Sequence, residues 1–398
     1  MRQARRFAAR ARRLKVTPFG GGRRLDRPFL KWATLVVAAL FGGIIAFACW
    51  IMLTEPKTVD FVSFWAAGKM VAGGAGAQIY DVAVHRAVER EAVELVGLMP
   101  FPYPPPFALL VAPFGALPYG PGFTAWIVAT GALFAAAARA WMPRRLAFAQ
   151  PAVLVNGFIG QNAFLTSALF LAGIRLLATR PIAGGAVLGL LVIKPQLALM
   201  LPVAMIAGRH WSAIAGAVLS VCAALLAGLL ALGVGAYIAF FEQLSAYTGF
   251  VAASRWPWHE LASVYALLSY FGAPAALALT VHCFVAAVAG AAVWRAWRRD
   301  HPGKAPILAA ATLLVPPYLL TYDGVLLALP VAWLLLDGKR PALAALVWAL
   351  SLLTVGSVAG FYNLPNTLPL AALVSLAAIC LPSAKGNGDA EGRRRSLL

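Results

Sequence analysis

Residues 31–54 read KWATLVVAALFGGIIAFACWIMLT, and the fold class turns on this stretch. Past Lys31 it carries no charge, and it is long enough to cross a bilayer, because about 20 apolar residues rising 1.5 Å each span the hydrocarbon core as a helix. Upstream, residues 1–31 hold eleven Lys/Arg against one acid, Asp26. That tail is too long and too basic for an ordinary signal peptide, and Cys49-Trp50-Ile51-Met52 offers no small-residue cleavage site. The expectation is a retained basic cytoplasmic arm over residues 1–30.

Downstream the pattern repeats. The chain of 398 residues is 62% hydrophobic and 12% charged, whereas soluble domains are about a quarter charged. No water-soluble fold covers that much apolar surface. Apolar runs recur, broken by Gly, Pro and short basic loops, and predict an all-α polytopic transmembrane helical bundle of about 10–13 membrane segments. The membrane domain is expected over residues 31–382, with a cytoplasmic tail over 383–398. Segments near Asn156 and Lys194 are too short to cross alone and read as broken helices lining a cavity. The four cysteines are scattered singly and read as small hydrophobes.

Lys and Arg near span ends stay cytoplasmic. Placing the basic clusters inside puts the turns near Asp60, Asn156 to Asn162, Lys194, Arg255 and Asp323 outside, with both termini cytoplasmic. The expected location is a bacterial inner (plasma) membrane, and the net charge of +19 suits anionic lipid headgroups, not nucleic acid. Two outer loops are expected, 55–107 and 235–260. Asp81 to Gly97 reads as an amphipathic helix lying on the membrane, capped by Asp81 and Gly97, with Val84, Val88, Ala92 and Leu95 on one face and Arg86, Glu89, Arg90 and Glu94 on another. His85 is expected on a solvated face. The second loop carries aromatic residues suited to the headgroup level, and the expected span before it ends at Val234.

Polar residues at membrane depth are costly and mark function. Asp60 is the only acid in an apolar, aromatic stretch. A partly desolvated carboxylate has a raised pKa and can take a proton from a hydroxyl, although Asp60 serves equally as the N-cap of a helix to Val71. Asp81 reads first as a cap. Tyr103-Pro104-Pro105-Pro106 reads as stiff and extended. Asn156, Gln161 and Asn162 surround a glycine break, where amides either bind sugar hydroxyls or cap broken helix ends. Lys194, followed by Pro195 and Gln196, is the sole cation between two apolar half-helices. A phosphate would partner it, and snorkelling is the alternative. Asp323, after Tyr322, is structural if it pairs with Lys194 or Arg255. His259, near Arg255, is the histidine to watch. No histidine pair has metal-ligand spacing and no phosphate-loop, dinucleotide or serine-nucleophile motif occurs, so no cofactor is expected, a divalent metal being the one addition left open.

Asp60-Phe61-x-x-Phe64-Trp65-x-Ala67-Gly68, then Tyr80-Asp81, Phe101-x-Tyr103-Pro104-Pro105, Asn156-Gly157 with Gly160-Gln161-Asn162, Lys194-Pro195-Gln196 and Tyr322-Asp323 together resemble glycosyltransferase family 87. The resemblance implies a GT-C fold with an outer-facing site and a polyprenyl-phosphate sugar donor, often mannose. It maps the catalytic base onto Asp60. Expected substrate-binding residues are Trp65, Asp81, Tyr103, Asn156, Gln161, Asn162, Lys194, Gln196, Arg255, His259, Tyr322 and Asp323. The expected reaction is transfer of a hexose, with inversion, to a lipid or glycan acceptor, with membrane lipids around it and no nucleic acid. The chain departs from the family before the late Tyr-Asp pair, where a histidine is often found and Pro317-Tyr318 stands here. That removes the basis for a histidine-dependent step. The competing reading is a transporter or lipid flippase, whose broken helices look alike. Against it, no repeat relates the two halves.

Overall fold

The computed structural model describes residues 28–95, 99–252, 257–336, 340–361 and 364–381. Most of the basic arm, the Gly97 cap, Arg255 and the tail from residue 383 lie outside the described residues. In chain order the helices are α1 (Pro28–Thr54), α2 (Phe61–Ala72), α3 (Val82–Glu89), α4 (Pro105–Gly115), α5 (Tyr119–Ala138), α6 (Arg144–Phe148), α7 (Ala152–Ile159), α8 (Ala163–Leu177), α9 (Pro181–Gly189), α10 (Met200–Ala207) and α11 (Trp211–Ala252). They continue with α12 (Val264–Tyr270), α13 (Ala275–Arg298), α14 (Lys304–Leu314), α15 (Ala328–Leu336), α16 (Pro341–Val358) and α17 (Leu368–Cys380). Short 3₁₀ turns occupy Leu190–Ile193, Pro195–Ala198 and Thr321–Leu327. Among the described residues there is no strand, only an isolated antiparallel bridge between Leu261 and Leu320.

The chain is an all-α polytopic membrane bundle. Among the described residues five helices are long and apolar enough to cross a membrane: α1, α5, α13, α16 and α11 as far as Ala246. Eight shorter apolar segments accompany them. Side chains such as Val36, Leu40 and Phe47 on α1, and Leu219 and Leu230 on α11, point outward uncovered, as lipid-facing residues do.

Two apolar cores form. One is aromatic and gathers Phe61, Phe64, Phe101, Tyr103, Phe107, Phe123 and Trp126. The larger one spans α5–α10 and α13–α17 and includes Tyr322. α2 crosses α4 at glycines: a Cβ on Gly115 would lie 2.2 Å from the backbone nitrogen of Lys69, and one on Gly68 2.5 Å from the Val111 carbonyl oxygen. Such small-residue contact lets two backbones touch. It also sets the starts of the two helices, Asp60 and Tyr103, side by side.

Four expectations are corrected. The amphipathic helix expected to Gly97 stops at Glu89, because the chain beyond is tied elsewhere: Lys69 pairs with Glu91 at 2.6 Å and the Thr58 hydroxyl donates to the Glu94 carbonyl at 2.6 Å. On that short helix His85 and Glu89 are both buried, not solvated, with the imidazole against Phe101. The segment 235–260 is not a loop along its first half, since α11 continues past a break at Gly233 (φ 79°, ψ 168°). Ala236 and Phe240 pack onto the aromatic core, and the Tyr237 hydroxyl reaches back across the break to the Leu225 carbonyl at 2.6 Å. Finally, only Pro104 of the proline run is extended. Pro105 and Pro106 begin α4, where a missing N–H costs nothing.

Candidate functional site

The site is built on the turn between α7 and α8. Gly160 closes α7 in the left-handed region (φ 76°), and a Cβ there would sit 2.5 Å from that of Phe61, so glycine alone fits. The turn is pinned on both sides. The Trp126 indole donates to the Gly160 carbonyl at 2.9 Å, and the Ala163 N–H donates to Asn156 Oδ1 at 2.7 Å. Asn156 therefore satisfies a backbone N–H at the buried N-terminus of α8. Its Nδ2 and that of Asn162 are buried without a hydrogen-bond partner.

Gln161 projects from this turn between two other segments. Its Nε2 donates to Asp60 Oδ2 at 2.8 Å, and its Oε1 accepts from the Tyr103 hydroxyl at 3.0 Å. The Tyr80 hydroxyl donates to the Tyr103 carbonyl at 2.7 Å. Asp60, in the segment between α1 and α2, is partly exposed. Burial raises its carboxyl above the usual carboxylate value, and the Gln161 amide, its own backbone and Lys194 pull it only partway back.

Lys194 stands at the break between two 3₁₀ turns (φ −145°, ψ 73°). Its Nζ meets Asp323 Oδ1 at 2.6 Å and Asn162 Oδ1 at 3.3 Å, and lies 4.4 Å from the centre of the Tyr322 ring. Both members of this ion pair are buried. Of the alternatives open in the sequence, Lys194 takes Asp323 as its anion and does not snorkel. A small cavity beside Asp323 is lined by Thr166, Ser167, Phe170, Leu191, Leu197 and Leu326.

Asp60, Tyr103, Asn156, Gln161, Asn162, Lys194, Tyr322 and Asp323 thus come together. Of the remaining candidates, Arg255 lies outside the described residues, and Trp65, Asp81, Gln196 and His259 do not join the cluster. Trp65 is buried and its indole donates to the Leu117 carbonyl at 2.8 Å. Asp81 caps α3, accepting from the Ala83 and Val84 N–H groups at 2.9 and 3.1 Å. Gln196 is half-buried on the turn after Lys194 and makes none of the cluster's hydrogen bonds. His259 contributes its carbonyl, which accepts from Asn366 Nδ2 at 3.3 Å.

Sequence reasoning missed two supports. Trp126 holds the Gly160 turn, and Asn366 ties the Trp258–Glu260 turn to Thr321 through a 2.9 Å hydrogen bond to its hydroxyl, steadying the segment that carries Tyr322 and Asp323. Asn366 left a signal, an amide in the short polar stretch Asn363-Leu364-Pro365-Asn366-Thr367 between two apolar runs. Trp126 left none. Among the described residues no three His, Cys, Asp or Glu side chains gather as a metal site.

The model of glycosyltransferase family 87 matches residues 101–321. No curated protein and no solved structure matches the chain. The matched region carries Tyr103, Asn156, Gln161, Asn162 and Lys194. Asp60 lies before it, held from inside it by Gln161, and Asp323 lies just past its end. With more than half of its length matched, this membrane-spanning chain belongs to glycosyltransferase family 87.

Proposed function

We propose that this membrane glycosyltransferase moves a hexose, mannose by the family resemblance, from a polyprenyl-phosphate donor to a hydroxyl of a lipid or glycan acceptor, with inversion, at the outer face of a bacterial inner membrane. We assign Asp60 as the general base. The observation that carries this reading is the difference between the two carboxylates of the cluster. Asp323 is buried and neutralised by Lys194, whereas Asp60 keeps part of its surface open and is held by one amide. A carboxylate that is desolvated and uncommitted to a cation is suited to accept a proton.

In the step proposed, the acceptor hydroxyl gives its proton to Asp60 as its oxygen bonds to the anomeric carbon. The bond from that carbon to the phosphate oxygen breaks, and its electron pair leaves on polyprenyl phosphate. The donors of Lys194 are taken up by Asp323 and Asn162, with the Tyr322 ring beneath it. We therefore assign the leaving phosphate to Arg255, the remaining cation among the sequence candidates, and leave Lys194 a structural role. The GT-C architecture expected from the family accommodates a site of this kind, shared between an outer segment and broken helices.

The test is transfer of radiolabelled sugar from polyprenyl-phosphate mannose to membrane lipid or glycan acceptors by the purified protein and its Asp60→Asn variant. Loss of a general base lowers the rate on the order of 10²- to 10⁴-fold. A folded variant with wild-type transfer removes Asp60 as base, and no transfer from any polyprenyl-phosphate sugar removes the donor assignment.

A further inference from the structure

We propose that Gln161 is a positioning residue, not a sugar ligand: its amide, oriented by the Tyr103 hydroxyl and the Asn162 N–H, holds the Asp60 carboxylate in place for proton abstraction. The proposal rests on Asp60 being the base. It follows from the two unlike ends of an amide. Gln161 Oε1 accepts from the Tyr103 hydroxyl at 3.0 Å and from the backbone N–H of Asn162 at 3.3 Å. The second of these groups can only donate, so the oxygen must face it, and Nε2 is left to face Asp60 Oδ2 at 2.8 Å. Flipping the amide would set N–H against N–H and lose the bond to Asp60.

The frame around Gln161 is itself rigid. Tyr103 is fixed by the Tyr80 hydroxyl on its carbonyl at 2.7 Å and by Phe64 and Phe107, whose ring centres lie 5.2 and 4.7 Å away. The backbone N–H of Gln161 donates to the Asn156 carbonyl at 3.2 Å. Both acceptor positions of the amide oxygen are used, and the side chain is buried, which leaves a sugar one amide hydrogen at most. A carboxylate tied through Oδ2 has its other oxygen left to meet the acceptor hydroxyl. Holding a reacting group within a narrow range of orientations is worth rate and not affinity.

Gln161→Leu removes the donor and both acceptances. Gln161→Glu is nearly isosteric, keeps the acceptances and sets a carboxylate against Asp60. Both are compared with wild type and Asp60→Asn in lipid nanodiscs, reading kcat and KM for polyprenyl-phosphate mannose. In parallel, the pH dependence of carbodiimide labelling of Asp60 is followed by mass spectrometry, since the reagent attacks protonated carboxyls. Gln161→Leu should lower kcat on the order of 10- to 100-fold with KM for the donor unchanged, and raise the labelling midpoint by about one pH unit. Gln161→Glu should raise that midpoint further. A rise in KM at unchanged kcat, or an unmoved midpoint in both variants, would overturn the proposal. Labelling needs no turnover, so a wild-type protein that transfers nothing defeats the donor assignment, and an Asp60→Asn variant with wild-type transfer defeats the reading of Asp60 as base, while in either case the midpoints still decide whether Gln161 holds the carboxylate.

Discussion

Lys194→Met leaves Asp323 as a buried anion with no cation. At 2.6 Å, unit charges attract with about 6 kcal/mol at an effective dielectric of about 20, and desolvation of both groups offsets much of this. Removing one partner of a buried pair costs about 3–5 kcal/mol, whereas replacing both by apolar residues of similar volume is near neutral. The single variant should therefore unfold at markedly lower denaturant in mixed micelles. The double variant Lys194→Met/Asp323→Leu should recover most of the loss, giving a coupling energy of several kcal/mol in a double-mutant cycle. A single variant within about 1 kcal/mol of wild type, or a double variant as unstable as the single, refutes the account of Lys194 as an internally satisfied cation.

Gly160→Ala should abolish transfer without unfolding the bundle. The residue sits at φ 76° with the Phe61 Cβ 2.5 Å and the Phe123 ring 2.8 Å from any added methyl, and the left-handed region alone costs about 1–2 kcal/mol. Circular dichroism beside the transfer assay checks both halves of that outcome. Burial raises the Asp60 carboxyl above the usual value, so transfer should fall as pH drops through that raised value. Stability runs the other way: the contribution from a raised carboxyl is fully present below the unfolded value and lost as pH rises through the folded one. Asp60→Asn should therefore melt higher than wild type at pH 7, by thermal unfolding in the same detergent.

Much of the site was legible because polar residues are conspicuous in a chain this apolar. Asp60, the amides around Gly160, Lys194 and Asp323 each stood out on burial cost alone, and broken helices near Asn156 and Lys194 followed from segment lengths. What stayed hidden was set by tertiary contact. His85 and Glu89 belong by spacing to a polar helix face, yet both are buried, with the His85 ring against Phe101. The stretch beyond Gly233 carries loop-like aromatics, yet Ala236 and Phe240 find a core to pack on and keep it helical. Trp65 looked like a sugar platform, but its indole is committed to the Leu117 carbonyl. Pairing was harder still: Lys194 and Arg255 were both open as partners of Asp323, and it is the 2.6 Å contact that gives Asp323 to Lys194.

The buried ion pair of the site joins residues 129 positions apart in the chain. At 5–20 residues per second of synthesis, Asp323 leaves the ribosome roughly 6–26 s after Lys194. During that interval α11 and α13 are made while the lysine has no aspartate to meet. The nascent chain must therefore shelter an ammonium group until its counter-ion arrives.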